Sequence, residues 1–416
     1  MLPMMRFLFG CIICLSAVAG VDLQRFQQRL TIPPENAILA QVFMVYRHGE
    51  RNPMMAYPTS PYSNETDWKE GFEQLTVRGM KSHFEFGKWI MDHYGPNGLK
   101  FLPPEYNQRD YRVYSTDTDR TIQSALANSA GIYVPRTSRG IDESIRWNAI
   151  PVRSIMVNEY DTVFGQFCPA LTEILDKLRK ERFGNMKAKY PDLFQYAQQK
   201  SGMKILENPF LTVFLSDTLR VEKSVKGKIP GWAEPIFPSP MDVFFKELLN
   251  EYTDNEKITR LTAGPTLKTI INAMVNNTRG EDEVKLYSFS AHDMNVHSIR
   301  RALRVPLSEL ADYTSAVIFE LYKGEMNDHY VKVLYRSGPG DTEPLGLVIP
   351  GCGGSQFCTL DRFIEVTQNL LPGNLEKECE ASTEEFKELS KDEPTFKKKY
   401  KYPYNVKRDY YRRKRN

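Results

Sequence analysis

The chain has 416 residues, 41% hydrophobic and 26% charged, with 55 Lys and Arg against 52 Asp and Glu for a net charge of +3. That length exceeds what one hydrophobic core usually organises, so two lobes or a core with an inserted cap are expected. Beyond the N-terminus no run approaches the ~20 apolar residues that cross a bilayer, which excludes a membrane-spanning mature chain, and nothing indicates a specific nucleic-acid partner.

Residues 1–19 read as an export signal. Arg6 supplies the positive start, Phe7 to Val18 the apolar stretch and Ala17-Val18-Ala19 the small-residue cleavage pattern. The product is expected to be secreted, or held in a lysosomal or other luminal compartment. Cys11 and Cys14 leave with the signal, so Cys168, Cys352, Cys358 and Cys379 remain for an oxidising compartment. Four cysteines permit three pairings. The short glycine-rich loop between Cys352 and Cys358 favours that bridge, which leaves Cys168 with Cys379. No His stands near these thiols at zinc-ligand spacing, so no metal is expected. Asn64 and Asn276 each open an Asn-x-Thr glycosylation sequon.

Leu39-Ala40-Gln41-Val42-Phe43-Met44-Val45-Tyr46 reads as a buried strand. It runs into Arg47-His48-Gly49-Glu50-Arg51-Asn52-Pro53, an imidazole between guanidiniums. If this segment stands at a sheet's carboxyl edge, it lies where open α/β sheets place ligands. Arg offers a fixed fork for phosphate and His can attack or relay protons near neutrality, so a phosphate ester suits the triplet. Gln74 to His93 then reads as a helix capped by Thr76. A second strand, Tyr111 to Tyr114, leads through Ser115-Thr116-Asp117-Thr118-Asp119 to Arg120, placed in the first turn of a helix continuing to Ala130. A cation there opposes the helix dipole. Either a bound anion or a salt bridge to Asp117 or Asp119 would compensate it.

Residues Cys168 to Glu251 look like an insertion, with Leu171, Ile174, Leu175 and Leu178 at helical spacing and no obvious strands. A third strand, Val284 to Ser290, ends in Ala291-His292-Asp293 ahead of a helix from Asn295 to Leu303. Asp293 is either that helix's cap or a functional carboxylate. Strands at Ala316 to Tyr322 and Tyr330 to Leu334 would complete a mixed, mainly parallel sheet flanked by helices. The expected division is an α/β core from residues 20–160 and 255–380, a helical cap lobe from 161–254, and an acidic-then-basic disordered tail, 381–416. From Lys397 to Arg415 the tail carries ten Lys or Arg against Asp409, with interleaved tyrosines. It is read as solvated, with a polyanion contact as the sharper alternative.

Three strand ends thus finish in Arg-His-x-x-Arg, a helix-opening Arg, and His-Asp. On one parallel edge they converge around a phosphoryl group. Together with Leu75-Thr76-x-x-Gly79-Met80, Ser115-Thr116-Asp117-x-Asp119-Arg120-Thr121, Gly264-Pro265 and Pro350-Gly351-Cys352, these motifs resemble the histidine acid phosphatases, the branch with prostatic, lysosomal and insect venom enzymes. The resemblance runs from about Ile38 to Cys379. It implies a phosphoglycerate-mutase-like α/β core with a helical cap, no metal or organic cofactor, and often a homodimer. It also implies His48 as the phosphorylated nucleophile, Arg47, Arg51, Arg120 and His292 as phosphate ligands, and Asp293 as general acid. The two disulfides preferred above fit it. Vertebrate members commonly carry a third disulfide for which this chain has no cysteines, and the basic tail has no family counterpart. The substrate would be a small-molecule or peptide phosphate monoester. Alternatives are a phytase- or lysophospholipid-selective enzyme of the same fold, or a non-catalytic secreted binding protein or allergen. Three guanidiniums should keep His48 neutral below its usual ~6.5, whereas Asp293 must rise above ~3.9 to donate a proton, with a phosphate dianion as the natural cause.

Overall fold

A computed structural model describes residues 36–135, 147–155, 168–305 and 309–391. The export signal and the Lys397–Arg415 stretch lie outside the described residues. Among the described residues, eight strands form one sheet: β1 (Ile38–Arg47), β2 (Tyr111–Thr116), β3 (Val152–Ile155), β4 (Leu286–Ala291), β5 (Ala316–Lys323), β6 (His329–Arg336), β7 (Leu345–Leu347) and β8 (Phe357–Thr359). Their order is β3-β2-β4-β1-β5-β6-β7, with β8 pairing β6. β3, β2, β4 and β1 pair in parallel, and β5 to β8 add antiparallel pairings beyond β1. Strand β1 sits fourth in that order, and its apolar run is covered on both faces, as a central strand requires.

Alternation along β1 divides the core. Val42, Met44 and Tyr46 pack with Phe86, Ile90 and Tyr94 of α1 (Val77–Tyr94) and Ala125 and Ile132 of α2 (Asp119–Ile132). Phe43 and Val45 face the opposite side. There they meet Leu267, Ile270 and Met274 of α8 (Gly264–Thr278) and Val296 and Ile299 of α9 (Asp293–Ala302).

Between β3 and β4 the described residues carry helices and no strand: α3 (Pro169–Lys189), α4 (Pro191–Ser201), α5 (Leu211–Val221), α6 (Met241–Thr253) and α7 (Glu256–Thr262) precede α8. They enclose a separate apolar cluster in which Phe194, Leu215, Phe237 and Phe244 pack with Met55 and Tyr57 from the loop behind β1. No helix of the described residues is long and apolar enough to cross a membrane.

After β8 come α10 (Leu360–Thr367), α11 (Leu375–Glu378) and α12 (Glu384–Lys391). Disulfides join Cys168 to Cys379 and Cys352 to Cys358, the expected pairing. The expectation of disorder from residue 381 onward needs correction, because α12 falls within it. Ser382 donates from its N and Oγ, and Thr383 from its N, to the Glu173 carboxylate at 2.7, 2.9 and 3.1 Å, tying the start of α12 to α3.

Candidate active site

Strand register builds the site. Arg47 pairs with Ala291 across β1 and β4, and Ser115 with Ser290 across β2 and β4. The residues following these positions, His48, Thr116 and His292, therefore emerge along one carboxyl edge. The His48 amide donates to Ala291 O at 2.9 Å, which locks the first and last motifs together.

The loop after β1 lies backbone to backbone on the first turn of α1. A Cβ at Gly49 would stand 2.4 Å from Gly79 O, and one at Gly79 would stand 2.2 Å from Glu50 O, so neither position admits a side chain. Thr76 caps α1 by accepting from Gly79 N at 3.0 Å and donates to the Glu50 carboxylate at the same distance. The capping residue read from the sequence thus also holds the loop that carries Arg47, His48 and Arg51.

His48 is 3% exposed. Its Nδ1 lies 2.8 Å from Gly49 O, an atom that can only accept, so Nδ1 carries the proton and Nε2 keeps its lone pair. Burial first, then the charges of Arg120, Arg47, His292 and Arg51, holds the imidazole well below its ordinary value. The His292 ring stands edge-on to it at 5.5 Å between centroids. His292 Nε2 lies 3.0 Å from Thr116 Oγ1, and burial followed by Arg120 pushes that imidazole down to about 3.

The guanidiniums are individually held. Arg47 donates to Ala311 O at 2.8 Å, meets Asp293 Oδ2 at 3.1 Å and stacks on Tyr313 at 4.3 Å. Arg51 forms a two-pronged pair with Asp217, both contacts 3.0 Å, and is buried. Arg120 meets Glu73 at 3.4 Å. That partner corrects the sequence expectation: Asp117 accepts from Ser154 at 2.6 Å, and Asp119 faces Gln74 at 3.5 Å. Both acids next to Arg120 in sequence are drawn to β3 and to the loop before α1.

Asp293 occupies the first position of α9, with His292 as the capping residue. Its Oδ1 accepts from Met294 N at 2.8 Å while Oδ2 faces Arg47, so it serves the helix end and the site at once. Burial raises its carboxyl, but Arg47, His292, Arg51 and the Met294 N–H outweigh that and hold it below the usual range. The protein's own groups thus do not supply the rise a proton donor needs.

A cavity of about 750 Å³ opens beside this edge, lined by Arg47, Arg51 and Asp293 on the sheet side. Across it stand Phe210, Val213, Phe214, Phe245, Leu248 and Leu249 from the inserted helices and the turn before α5. Ion pairs stand in that wall, Arg179 with Asp176 and Arg220 with Asp242 at 2.6 Å, while Arg51 meets Asp217 where the wall joins the sheet edge. Sequence reasoning missed Asp217, Tyr313 and Glu73. Each sits on a helix or loop where an acid or aromatic gives no local signal of its role.

A carboxyl-edge cluster of three guanidiniums and a second imidazole around a neutral His with a free Nε2 lone pair is a site shaped for an oxyanion next to a nitrogen nucleophile. The sequence profile of the histidine phosphatase superfamily (branch 2) matches residues 38–336. Human lysosomal acid phosphatase is 31% identical over 378 residues, covering 89% of this chain and 85% of the relative. Human prostatic acid phosphatase is 32% identical over 345 residues, covering 81% and 87%. The chain belongs to the histidine phosphatase superfamily, branch 2. Among solved structures, the phytase from Citrobacter braakii matches with a TM-score of 0.62 at 18% identity, covering 83% of this chain and all of that one. The Klebsiella sp. ASR1 phytase matches at 0.60 and 17% identity, covering 84% and 99%. At such identity these two show the shared fold alone.

Proposed function

We propose that the chain is an acid phosphatase that hydrolyses phosphate monoesters through a covalent phosphohistidine on His48. The observation that carries this reading is the His48 tautomer: Nδ1 bonded to Gly49 O, Nε2 unprotonated, and cations on several sides. In the first step the Nε2 lone pair forms the N–P bond as the ester P–O bond breaks. Arg47, Arg51, Arg120 and His292 hold the phosphoryl oxygens. The departing alkoxide takes a proton from Asp293. In the second step Asp293 accepts a proton from water as it attacks phosphorus, the N–P bond breaks, and its electrons return to Nε2.

The depressed Asp293 carboxyl fits an acidic working range once the substrate's own proton is counted. A phosphate monoester has a second pKa of about 6. A monoanionic ester beside ionised Asp293 holds the same number of protons as a dianion beside protonated Asp293. Arrival of the dianion's charge then shifts the proton onto the carboxyl. Below about pH 6 the complex carries the proton it needs, and the lowered His48 keeps the nucleophile unprotonated there.

The apolar side chains of the helical wall, and the pairing of its arginines with Asp176 and Asp242, favour one phosphate with an organic body over a phytase-type polyphosphate. A lysophospholipid-like ester remains within this reading. The export signal and two disulfides support a secreted or luminal destination, with glycans at exposed Asn64 and half-buried Asn276. A homodimer and a polyanion contact through the basic tail belong to the same proposal, checked by light scattering and by salt-sensitive heparin retention. The test of activity is phosphate release at pH 5 from aryl and alkyl phosphates, phosphopeptides and phytate. His48→Ala is expected to lose at least ~10⁴-fold in kcat. Near-native turnover by that variant removes His48 as nucleophile, and no release by the native chain favours a binding protein on this scaffold.

A further inference from the structure

The turn beside His48 is held by a buried cation that the phosphoryl chemistry does not use. Residues 311–315, just ahead of β5, bracket the Arg47–His48 segment. Arg47 N donates to Ser315 O at 2.9 Å, and Thr314 N donates to His48 O at 3.3 Å. Arg47 Nη1 reaches Ala311 O at 2.8 Å, and its guanidinium lies over the Tyr313 ring at 4.3 Å. The His48 and Tyr313 rings stand 5.9 Å apart between centroids. What ties Tyr313 to the site is its ring, since the hydroxyl is buried without a hydrogen-bond partner among the described residues.

Thr314, next in the chain, has a φ of +56°. A β-branched residue adopts that left-handed conformation only where its surroundings enforce it. Arg336, the last residue of β6, supplies the enforcement. Its Nη1 donates to Thr314 O at 2.7 Å and lies 3.2 Å from Thr314 Oγ1, and its Nε donates to Asp341 O at 3.0 Å. The guanidinium is 3% exposed and rests on the Phe86 ring of α1 at 4.2 Å. Burial pushes it down to about 10, which Asp341 only partly offsets. Holding a cation in such a place is costly. Its hydrogen bonds go to backbone oxygens of two loops, so what it secures is backbone conformation, and a rigid fork suits that task.

We propose that Arg336 is a positioning residue: by pinning Thr314 in its strained turn it presses the Tyr313 ring against Arg47 and so fixes that guanidinium for phosphate. This rests on the phosphate-binding role given to Arg47 above and deepens it. Arg336 touches no reacting atom, and its effect reaches phosphate through Tyr313. Without the ring face Arg47 regains rotamer freedom, and a displacement of about 1 Å weakens an aligned contact severely.

Binding of inorganic phosphate to the full chain at pH 5, followed by calorimetry, reads that alignment without turnover. Tyr313→Leu should raise Kd by about 10-fold, while Tyr313→Phe, which keeps the ring face, should stay within about 3-fold of native. Arg336→Lys keeps the charge and loses the planar fork. It should raise Kd by roughly 5-fold in the native background and by less than about 2-fold in the Tyr313→Leu background. A lowered Tm with an unchanged Kd would make Arg336 structural and overturn the inference. Equal rises in both backgrounds would overturn it too, as would a Tyr313→Phe variant as damaged as Tyr313→Leu, which would assign the role to the hydroxyl. Arg336→Gln replaces the lysine variant if that chain does not fold, and failure of both to fold makes Arg336 a core residue and overturns its assignment. The predicted pattern of Kd values without turnover of any ester would leave the inference standing and remove the phosphatase reading. A native chain that binds no phosphate overturns both.

Discussion

The two sides of the cavity are built on opposite principles. The sheet edge is polar, and backbone fixes it: His48 N is bonded to Ala291 O, Nδ1 to Gly49 O, and Gly49 lies against Gly79 with no room for a methyl group. The helical side is a set of side chains on inserted helices, with Phe214, Leu248 and Leu249 beside the ion pairs Arg179–Asp176 and Arg220–Asp242. On the proposed reading, a reaction that needs atoms aligned to fractions of an ångström falls to the first. The same reading leaves choice among leaving groups to the second, where one residue could change without disturbing the phosphoryl chemistry. Asp217 joins the two, because its helix belongs to the wall and its carboxylate holds Arg51.

The sharpest test of this division within the sheet edge is Asp293→Asn. Loss of the proton donor should cost ~10²–10³-fold in kcat on alkyl phosphates, which leave poorly. On p-nitrophenyl phosphate, whose leaving group needs little help, the loss should be about 10-fold or less. Equal losses on both would show that Asp293 acts only at the helix end. Asp217→Ala probes the junction. Buried Arg51 loses its counter-charge, so stability to urea should fall by about 3 kcal/mol, and KM should rise on the order of 10-fold as the fork loses its alignment. A KM that stays level or drops would mean that Asp217 competes with phosphate for Arg51 rather than aiming it. On the wall, Phe214→Ala should lower kcat/KM for octyl phosphate by roughly 5–30-fold, in line with losing part of an aromatic contact. Methyl phosphate should change far less, and equal effects on both would make Phe214 a structural residue.

A smaller effect concerns the scaffold beneath the edge. His83 is buried, bonded through Nε2 to Arg47 O at 3.1 Å, and burial pushes it down to about 3. Unfolded, it would titrate near ~6.5. The native state then binds fewer protons than the unfolded one between those values, so stability is full above ~6.5 and declines as pH falls toward about 3. Tm should drop from pH 6.5 to 4, and His83→Gln should flatten the unfolding free energy by at most ~1.4 kcal/mol per pH unit. An unchanged slope would remove His83 as a contributor.

The sheet edge was far more legible in the sequence than the wall, and the reason is locality. The run before Arg47, the Thr76 cap, the turn that places Arg120 in a first helical turn and the glycine loop between Cys352 and Cys358 are each signalled within a few residues. The parallel pairing of β1, β2 and β4 then brings distant segments together without further information. Asp217 gave no such signal, since an acid on an amphipathic helix reads as a solvated one until the fold sets it against Arg51. The partner of Arg120 was sought among its neighbours and found at Glu73, beyond a loop. β3, β7 and β8, at four, three and three residues, are too short to show a period. Contacts made by tertiary packing rather than by pattern are the ones that escaped.

The most direct measurement is rapid acid-free quenching of the native chain during turnover of a ³²P-labelled aryl phosphate, followed by peptide mapping. The account predicts an acid-labile, base-stable label on the peptide containing His48, and none in His48→Ala. Label on a different residue, or sustained turnover with His48 replaced and no labelled intermediate, would contradict it.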